Sequence, residues 1–389
     1  MSGPTIMLVA AEASGDMLGA GLAKALEERL GPAVRFVGVG GPRMAEVGVQ
    51  SPFEITELSV LGLWEGLKAY PRVVRRVRDT AELARRERPD VAVLIDSWGF
   101  TLRVAQALRR DEPRLPLVKY VGPQVWATRP GRARTLAQAV DLLLTIHAFD
   151  APFFEAEGLK TVFVGSPALA RDFSRADPAR LRAHIGAAPE APILLVLPGS
   201  RPAEIARLLP VFGEAVAKVV GARPGVRVVI PVAETVASLV REGVAAWPVQ
   251  PSLIESETLK VDAMMAGTAA LACSGTVTTE LALAGRPMVV AYRIGELTYR
   301  ILKRLIRTPY ASLINIAADR FVAPEFIQHA CTAENLADAV GRLLDDPELR
   351  ARQTAEQSEA LDNMGRGQGD PSAKAAEAVI ALLKEKGRI

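Results

Sequence analysis

The chain has 389 residues, 49% hydrophobic and 23% charged, which excludes a disordered segment and exceeds what one core ordinarily holds, so two domains are expected. A net charge of +3 demands no nucleic-acid partner, and two cysteines, Cys273 and Cys331, offer neither a disulfide framework nor a zinc spacing. The opening residues lack the pattern of a signal peptide and no apolar run reaches the ~18 residues of a membrane span, so a cytoplasmic protein, soluble or lying on a membrane surface, is expected.

In chain order, residues 5–11 (TIMLVAA) read as a buried strand, 12–16 as a turn, and 17–29 as an amphipathic helix that Ser14 or Asp16 would cap. Residues 35–39 read as a second strand. The glycines that follow match the dinucleotide fingerprint at Gly38 and Gly40, but Arg43 holds the third glycine position and the segment does not open the first βαβ unit. A nicotinamide site is therefore not expected. Residues 58–79 are apolar first (Leu61, Leu63, Trp64, Leu67) and basic afterwards (Arg72, Arg75, Arg76, Arg78), and 81–88 continue as helix. Further strands fall at 91–95, 117–121, 142–146 and 161–164. Residues 168–178 lose strand character and mark a boundary. The second half repeats the pattern, with strands at 193–197, 226–231, 247–249, 269–273 and 288–291. After a Gly-rich break at 365–369, residues 372–386 form a last helix. The alternation predicts an α/β chain of two doubly wound, Rossmann-like domains, 1–170 and 178–364, with 365–389 packing back on the first. Ligands are expected in a cleft at the C-terminal ends of the strands.

Three turns carry candidate chemistry. In ILLVLPGSRPAEI a buried strand runs through Pro198, Gly199, Ser200 and Arg201 into a helix. Backbone amides and a helix N-terminus suit a phosphate there, and Arg201 adds a permanent charge. Ser274, Gly275 and Thr276 open a second such turn, with Glu280 one helical turn on as a ribose ligand. Either turn alone is equally an ordinary strand–helix connection; together they favour a nucleotide diphosphate. Asp96, at the end of the 91–95 strand, is either a general base for a substrate hydroxyl or a helix cap, and Glu12 and Asp16 are alternatives from the neighbouring turn. The three histidines are too scattered for a metal site, and His147 reads as structural. With no Asp-x-Asp turn, charge stabilisation falls to Arg201 and helix dipoles. Residues 60–78 and 297–307, the second with Leu302, Leu305 and Ile306 among four basic residues, read either as solvated amphipathic helices or as faces meeting an anionic membrane.

At this point the residues resemble those of the lipid-A-disaccharide synthase family, inverting glycosyltransferases of the GT-B type. The resemblance runs along nearly the whole chain: AEASGD (11–16), SVLGLWEGL (59–67), the strand into Asp96, YVGPQVWA (120–127), FVGSP (163–167), LPGSRPAEI (197–205), SGTVTTELAL (274–283), PMVVAYR (287–293), YASLINIA (310–317) and PEFIQ (324–328). It implies transfer of 2,3-diacylglucosamine from UDP-2,3-diacylglucosamine to 2,3-diacylglucosamine 1-phosphate, giving a β-1,6 disaccharide and UDP, without metal or cofactor, on the inner-membrane surface of a Gram-negative bacterium. It makes Asp96 the base and gives the diphosphate to Gly199, Ser200, Arg201, Ser274, Gly275 and Thr276. Glu280 takes the ribose, Asn315 and Gln328 line the nucleotide pocket, and Glu12, Ser14, Gly15 and Asp16 stand on the acceptor side. Leu61, Leu63, Trp64, Leu67, Leu302, Leu305 and Ile306 would meet acyl chains and membrane, with the enzyme a monomer or homodimer. The chain departs from the family at Ser166, where many members have histidine, at Ser97-Trp98-Gly99, and at Ile314, where proline is common. A UDP-sugar 2-epimerase and a non-catalytic nucleotide-sugar-binding protein are the alternatives.

Overall fold

Runs such as VAVLI and ILLVL have no polar position to offer water, and each forms a strand buried along its whole length. The computed structural model describes residues 3–58, 63–306 and 308–389. It divides into two units, one of residues 1–167 with 367–389 and one of residues 168–366. The first holds β1 (Thr5–Val9), β2 (Arg35–Val39), β3 (Val91–Ile95), β4 (Leu117–Tyr120), β5 (Leu142–Thr145) and β6 (Thr161–Phe163) in a parallel sheet of order β2-β1-β3-β4-β5-β6. The second holds β7 (Ile193–Leu197), β8 (Arg227–Pro231), β9 (Ser252–Ile254), β10 (Ala269–Cys273), β11 (Met288–Tyr292) and β12 (Glu325–Ile327), ordered β12-β11-β10-β7-β8-β9 and again parallel. Each sheet is doubly wound, with an apolar cluster on both faces. In the first unit one of these layers includes Ala375, Val379, Leu382 and Leu383 of the terminal helix Pro371–Glu385.

Four local readings are corrected. The strand expected at 247–249 lies at β9 instead; Trp247 is a buried anchor, packed so closely that a methyl on Gly213 would stand 2.5 Å from its Nε1. The edge strand β12 has no apolar alternation to announce it. The first helix starts earlier, as Ala13–Leu30, with Glu12 at its N-cap and no side-chain cap. Asp16 does cap a helix, but another one. Its buried carboxylate accepts the amides of Gly41 (2.7 Å), Arg43 (2.9 Å) and Met44 (3.0 Å) at the start of Pro42–Ala45. This accounts for the glycines there: a methyl on Gly41 would meet Asp16 Oδ2 at 2.7 Å, and one on Gly38 (φ +148°) would strike the Leu8 carbonyl.

The proposed lipid-facing stretches are only partly described. Leu61 lies outside the described residues, as do the side chains of Leu63, Trp64, Leu67 and Leu302. The helix Leu63–Glu87 is continuous through Pro71, and its Arg76 is taken up by Glu57 (2.7 Å) and Asp79 (2.9 Å). The helix expected over 297–307 is the shorter Glu296–Leu302, after which Leu305 and Ile306 are exposed.

Beyond β5, His147 stacks on Phe149 at 5.0 Å, Trp126 meets Phe149 edge-on, and Trp126 Nε1 donates to Asp150 at 2.8 Å. Burial pulls the His147 imidazole down to about 4 and pushes the Asp150 carboxyl up to about 7. Below its unfolded value of 6.5 the histidine takes a proton more readily unfolded, so its contribution to stability falls with falling pH. The aspartate keeps its proton in the folded chain, so its contribution falls as pH rises from 3.8 toward 7. The two slopes oppose. Asp150→Asn, which keeps an acceptor for Trp126, should make stability rise with pH relative to the parent, by up to about 1.4 kcal/mol per unit between pH 4 and 6.5. His147→Gln should tilt it the other way. Urea unfolding of both variants at pH 5 and 6 measures the slopes; tilts of the same sign would disprove the assignment.

Candidate functional site

In an open parallel sheet, the place where strand order reverses leaves two loops diverging at the carboxyl edge. The first sheet reverses between β1 and β3, and the second between β7 and β10. Asp96, Gly199, Ser200, Arg201, Ser274 and Gly275 fall on the turns that follow β3, β7 and β10, while Ser14, Gly15, Asp16, Thr276 and Glu280 stand on the helices that follow β1 and β10.

In the first unit the loops bring Ser14 and Asp96 together, the hydroxyl 3.4 Å from Asp96 Oδ2. Gly15 permits this approach, since a methyl there would already touch Ala10 Cβ at 3.3 Å and Ile95 at 3.5 Å. Asp96 is half-buried, and it and Ser97 both hold left-handed backbone, φ +47° and +40°. Neither is glycine, so the turn stores strain of about 1–3 kcal/mol per residue. Thr101 restrains it from the next helix, Trp98–Asp111. Its Oγ1 donates to the Asp96 carbonyl (2.6 Å) and lies 3.0 Å from that of Ser97. Lys119, fully buried on β4, donates to the same Asp96 carbonyl and to Thr101 Oγ1 (2.7 Å). Burial pulls its amine down to about 7, opposed by the Asp96 charge. The sequence reading missed this lysine, although a basic residue inside the run LVKY is a visible irregularity. Glu12 is exposed, and Asp16 is committed to the backbone described above.

In the second unit Gly199, Ser200, Arg201, Ser274, Gly275, Thr276 and Glu280 line one cavity of about 500 Å³. Gly199 turns at φ +118°, and a methyl there would lie 2.4 Å from Glu204 Oε2. Glu204, near the start of the helix Pro202–Ala222, is the residue around which the turn closes. Its buried carboxylate accepts the amides of Ser200 (3.1 Å) and Arg201 (3.3 Å) and pairs with Arg201 Nη1 (3.0 Å). The amides that suit a phosphate are thus held by the chain's own anion. Arg171, in the stretch read only as a boundary, also lines the cavity and pairs with Glu280, while Lys260 pairs with Glu257 at 2.5 Å. Each cation of the cavity wall has a carboxylate partner within it, so an incoming diphosphate must exchange partners.

Asn315 and Gln328 do not line this cavity. Asn315 is fully buried; its Oδ1 accepts Val322 and Ala323 amides (both 2.9 Å), and its Nδ2 donates to the Ala323 carbonyl (2.8 Å) and Glu325 (2.7 Å). Glu325 also accepts Ala311 N (2.7 Å) and Ser312 N (2.8 Å), and Ser274 Oγ donates to the Ala311 carbonyl at 2.8 Å. The YASLIN and PEFIQ stretches therefore buttress the Ser274 turn from behind. Gln328 (φ +55°) clasps the loop after β11 through both backbone groups of Ile294 (2.9 and 3.1 Å). Among the described residues, no three His, Cys, Asp or Glu side chains gather as a metal site would need.

A model of the lipid-A-disaccharide synthetase family matches residues 6–379. The chain is 44% identical over 381 residues to a lipid-A-disaccharide synthase of Rhodospirillum centenum, covering 98% of this chain and 95% of that one. Among solved structures it is similar to a putative UDP-N-acetylglucosamine 2-epimerase from Listeria monocytogenes (TM-score 0.64, 15% identity, covering 99% and 96%). It is also similar to the calicheamicin glycosyltransferase CalG4 (TM-score 0.58, 17% identity, covering 99% of each). At such identities the structural likeness establishes the GT-B type fold, which transferases and epimerases share.

Because Glu204 competes for the turn's amides, Glu204→Gln should bind inorganic pyrophosphate several-fold more tightly at low ionic strength, keeping an acceptor for the turn while removing its charge. Isothermal titration of both proteins measures this; weaker binding by the variant would show that the carboxylate organises the turn rather than blocks it.

Proposed function

We infer the function from one premise: the chain belongs to the lipid-A-disaccharide synthetase family, which makes it a glycosyltransferase. The reaction proposed is transfer of 2,3-diacylglucosamine from its UDP donor to the 6-hydroxyl of 2,3-diacylglucosamine 1-phosphate, with inversion, giving the β-1,6 disaccharide 1-phosphate and UDP. The observation that carries the donor half is the cavity on which the Gly199–Arg201 and Ser274–Thr276 turns converge with Glu280. Its amides and the N-terminus of the helix Thr276–Leu283 take the diphosphate, Arg201 stabilises the charge that grows on it as the glycosidic bond breaks, and Glu280 takes the ribose hydroxyls. Arg171 joins this set, moving from Glu280 to the phosphates. Asn315 and Gln328 act from behind, by holding the loops.

The acceptor half is assigned to the first unit. Asp96 removes the proton of the attacking hydroxyl, and Ser14 orients its carboxylate. Leu305 and Ile306, exposed beside Lys303 and Arg304, suit a peripheral contact with an anionic inner-membrane surface.

The test is UDP release from the UDP donor with and without the monosaccharide phosphate, in detergent. Release that needs both substrates is expected. Consumption of the donor with no acceptor would favour an epimerase, and no reaction would remove the proposal. Asp96→Asn should lower turnover by about 100-fold or more with little change in donor KM. Arg201→Ala should lower turnover by about 100- to 1,000-fold while the melting temperature stays within about 2 °C, since its side chain is 72% exposed.

A further inference from the structure

Lys119 is a buried charged group behind Asp96 that the reaction above leaves without a task. Residues 117 and 119 share a face of β4, and Leu117 belongs to the apolar cluster of Leu94, Val104, Leu108 and Leu143. Leu94 and Leu143 are the register partners of Lys119 itself on β3 and β5. A methionine would fill that volume without the cost of burying an ammonium group, so packing does not account for a lysine. What the lysine adds lies at the end of its stem. Nζ passes out of the apolar layer at the carboxyl edge and meets the Asp96 carbonyl and Thr101 Oγ1. Thr101 has one hydroxyl hydrogen for two carbonyls, those of Asp96 and Ser97, so it cannot hold both. The amine supplies the missing donor within this left-handed turn.

We propose that Lys119 is a positioning residue for Asp96: through its buried amine and the Thr101 hydroxyl it pins the left-handed Asp96–Ser97 turn and so fixes where the Asp96 carboxylate stands. The inference rests on Asp96 acting as the base. Without the pin the turn relaxes toward right-handed or extended backbone, which swings the carboxylate away while leaving the cavity of the second unit intact. A displacement of about 1 Å at a reacting group is enough to cost up to about 100-fold in rate.

The experiment is a double-mutant cycle on the full chain. Lys119→Met should lower turnover between about tenfold and 100-fold, with donor KM and UDP affinity unchanged and the melting temperature equal or raised. In an Asp96→Asn background, where no carboxylate is left to place, Lys119→Met should lower the residual turnover by less than about twofold. Full turnover in Lys119→Met, or the same fold-loss in both backgrounds, overturns the proposal. Should Lys119→Met fail to fold, Thr101→Val removes the relay hydroxyl at nearly the same shape and enters the same cycle, with the same outcomes for and against. Full turnover in Asp96→Asn would instead remove the base assignment itself, a result distinct from an active Lys119→Met beside an inactive Asp96→Asn.

Discussion

In both units the geometry follows from one topological constraint, a parallel sheet whose strand order reverses once. Neighbouring loops at the reversal leave in opposite directions and open a crevice at the strand ends between them. In the second unit this uncovers the turns after β7 and β10, and the cavity is the space between them. In the first it places Ser14, after β1, beside Asp96, after β3. The strands themselves need only be apolar and straight. The candidate residues follow the strands at these reversals, which the orders β2-β1-β3 in one sheet and β10-β7-β8 in the other decide.

Holding those loops is largely the work of carboxylates that bind backbone amides. Asp16, Glu204 and Glu325 each accept two or three main-chain N–H groups, and all three stand beside candidate site residues. A carboxylate suits the task because it accepts several donors at once and its bonds to amides are charge-assisted. The arrangement has different consequences at the two edges. Asp16 and Glu325 fix loops that no ligand needs to displace. Glu204 occupies amide donors at the cavity wall, so the turn there is held closed by the chain's own carboxylate.

How much of this was legible in the sequence depended on range. Strands such as Val91–Ile95 and Ile193–Leu197 announce themselves because complete burial needs an unbroken apolar run. The tight turns after β7 and β10 were legible as turns, since glycine and serine between an apolar run and a helical pattern break both. The edge strand Glu325–Ile327 was not, being three residues long with every position half-buried. Trp247 misled because an aromatic before a proline resembles a strand start while it anchors a helix pair. The backbone partners of Asp16, 25 to 28 residues away, and of Asn315, in the loop beyond its helix, were not legible, because no local pattern records such pairings. Arg171 was passed over because its surroundings read as linker.

Buried polar groups that lack partners among the described residues occur in both units, on Thr279 and Gln357 of helices in the second and on three residues of the first. Tyr120 Oη, Thr145 Oγ1 and His147 Nδ1 are buried without a hydrogen-bond partner among the described residues, and all lie at or just beyond the carboxyl ends of β4 and β5. Elsewhere in the first sheet, buried polar side chains such as Asp16 and Thr101 are paired. An unpaired buried hydroxyl costs roughly 1–3 kcal/mol. The strained Asp96–Ser97 turn and the buried Lys119 stand at that edge too. Costs of three kinds, in backbone strain, desolvation and unmet hydrogen bonds, therefore occur along the carboxyl edge from β3 to β5, and the apolar layers on either side of the sheet offset them.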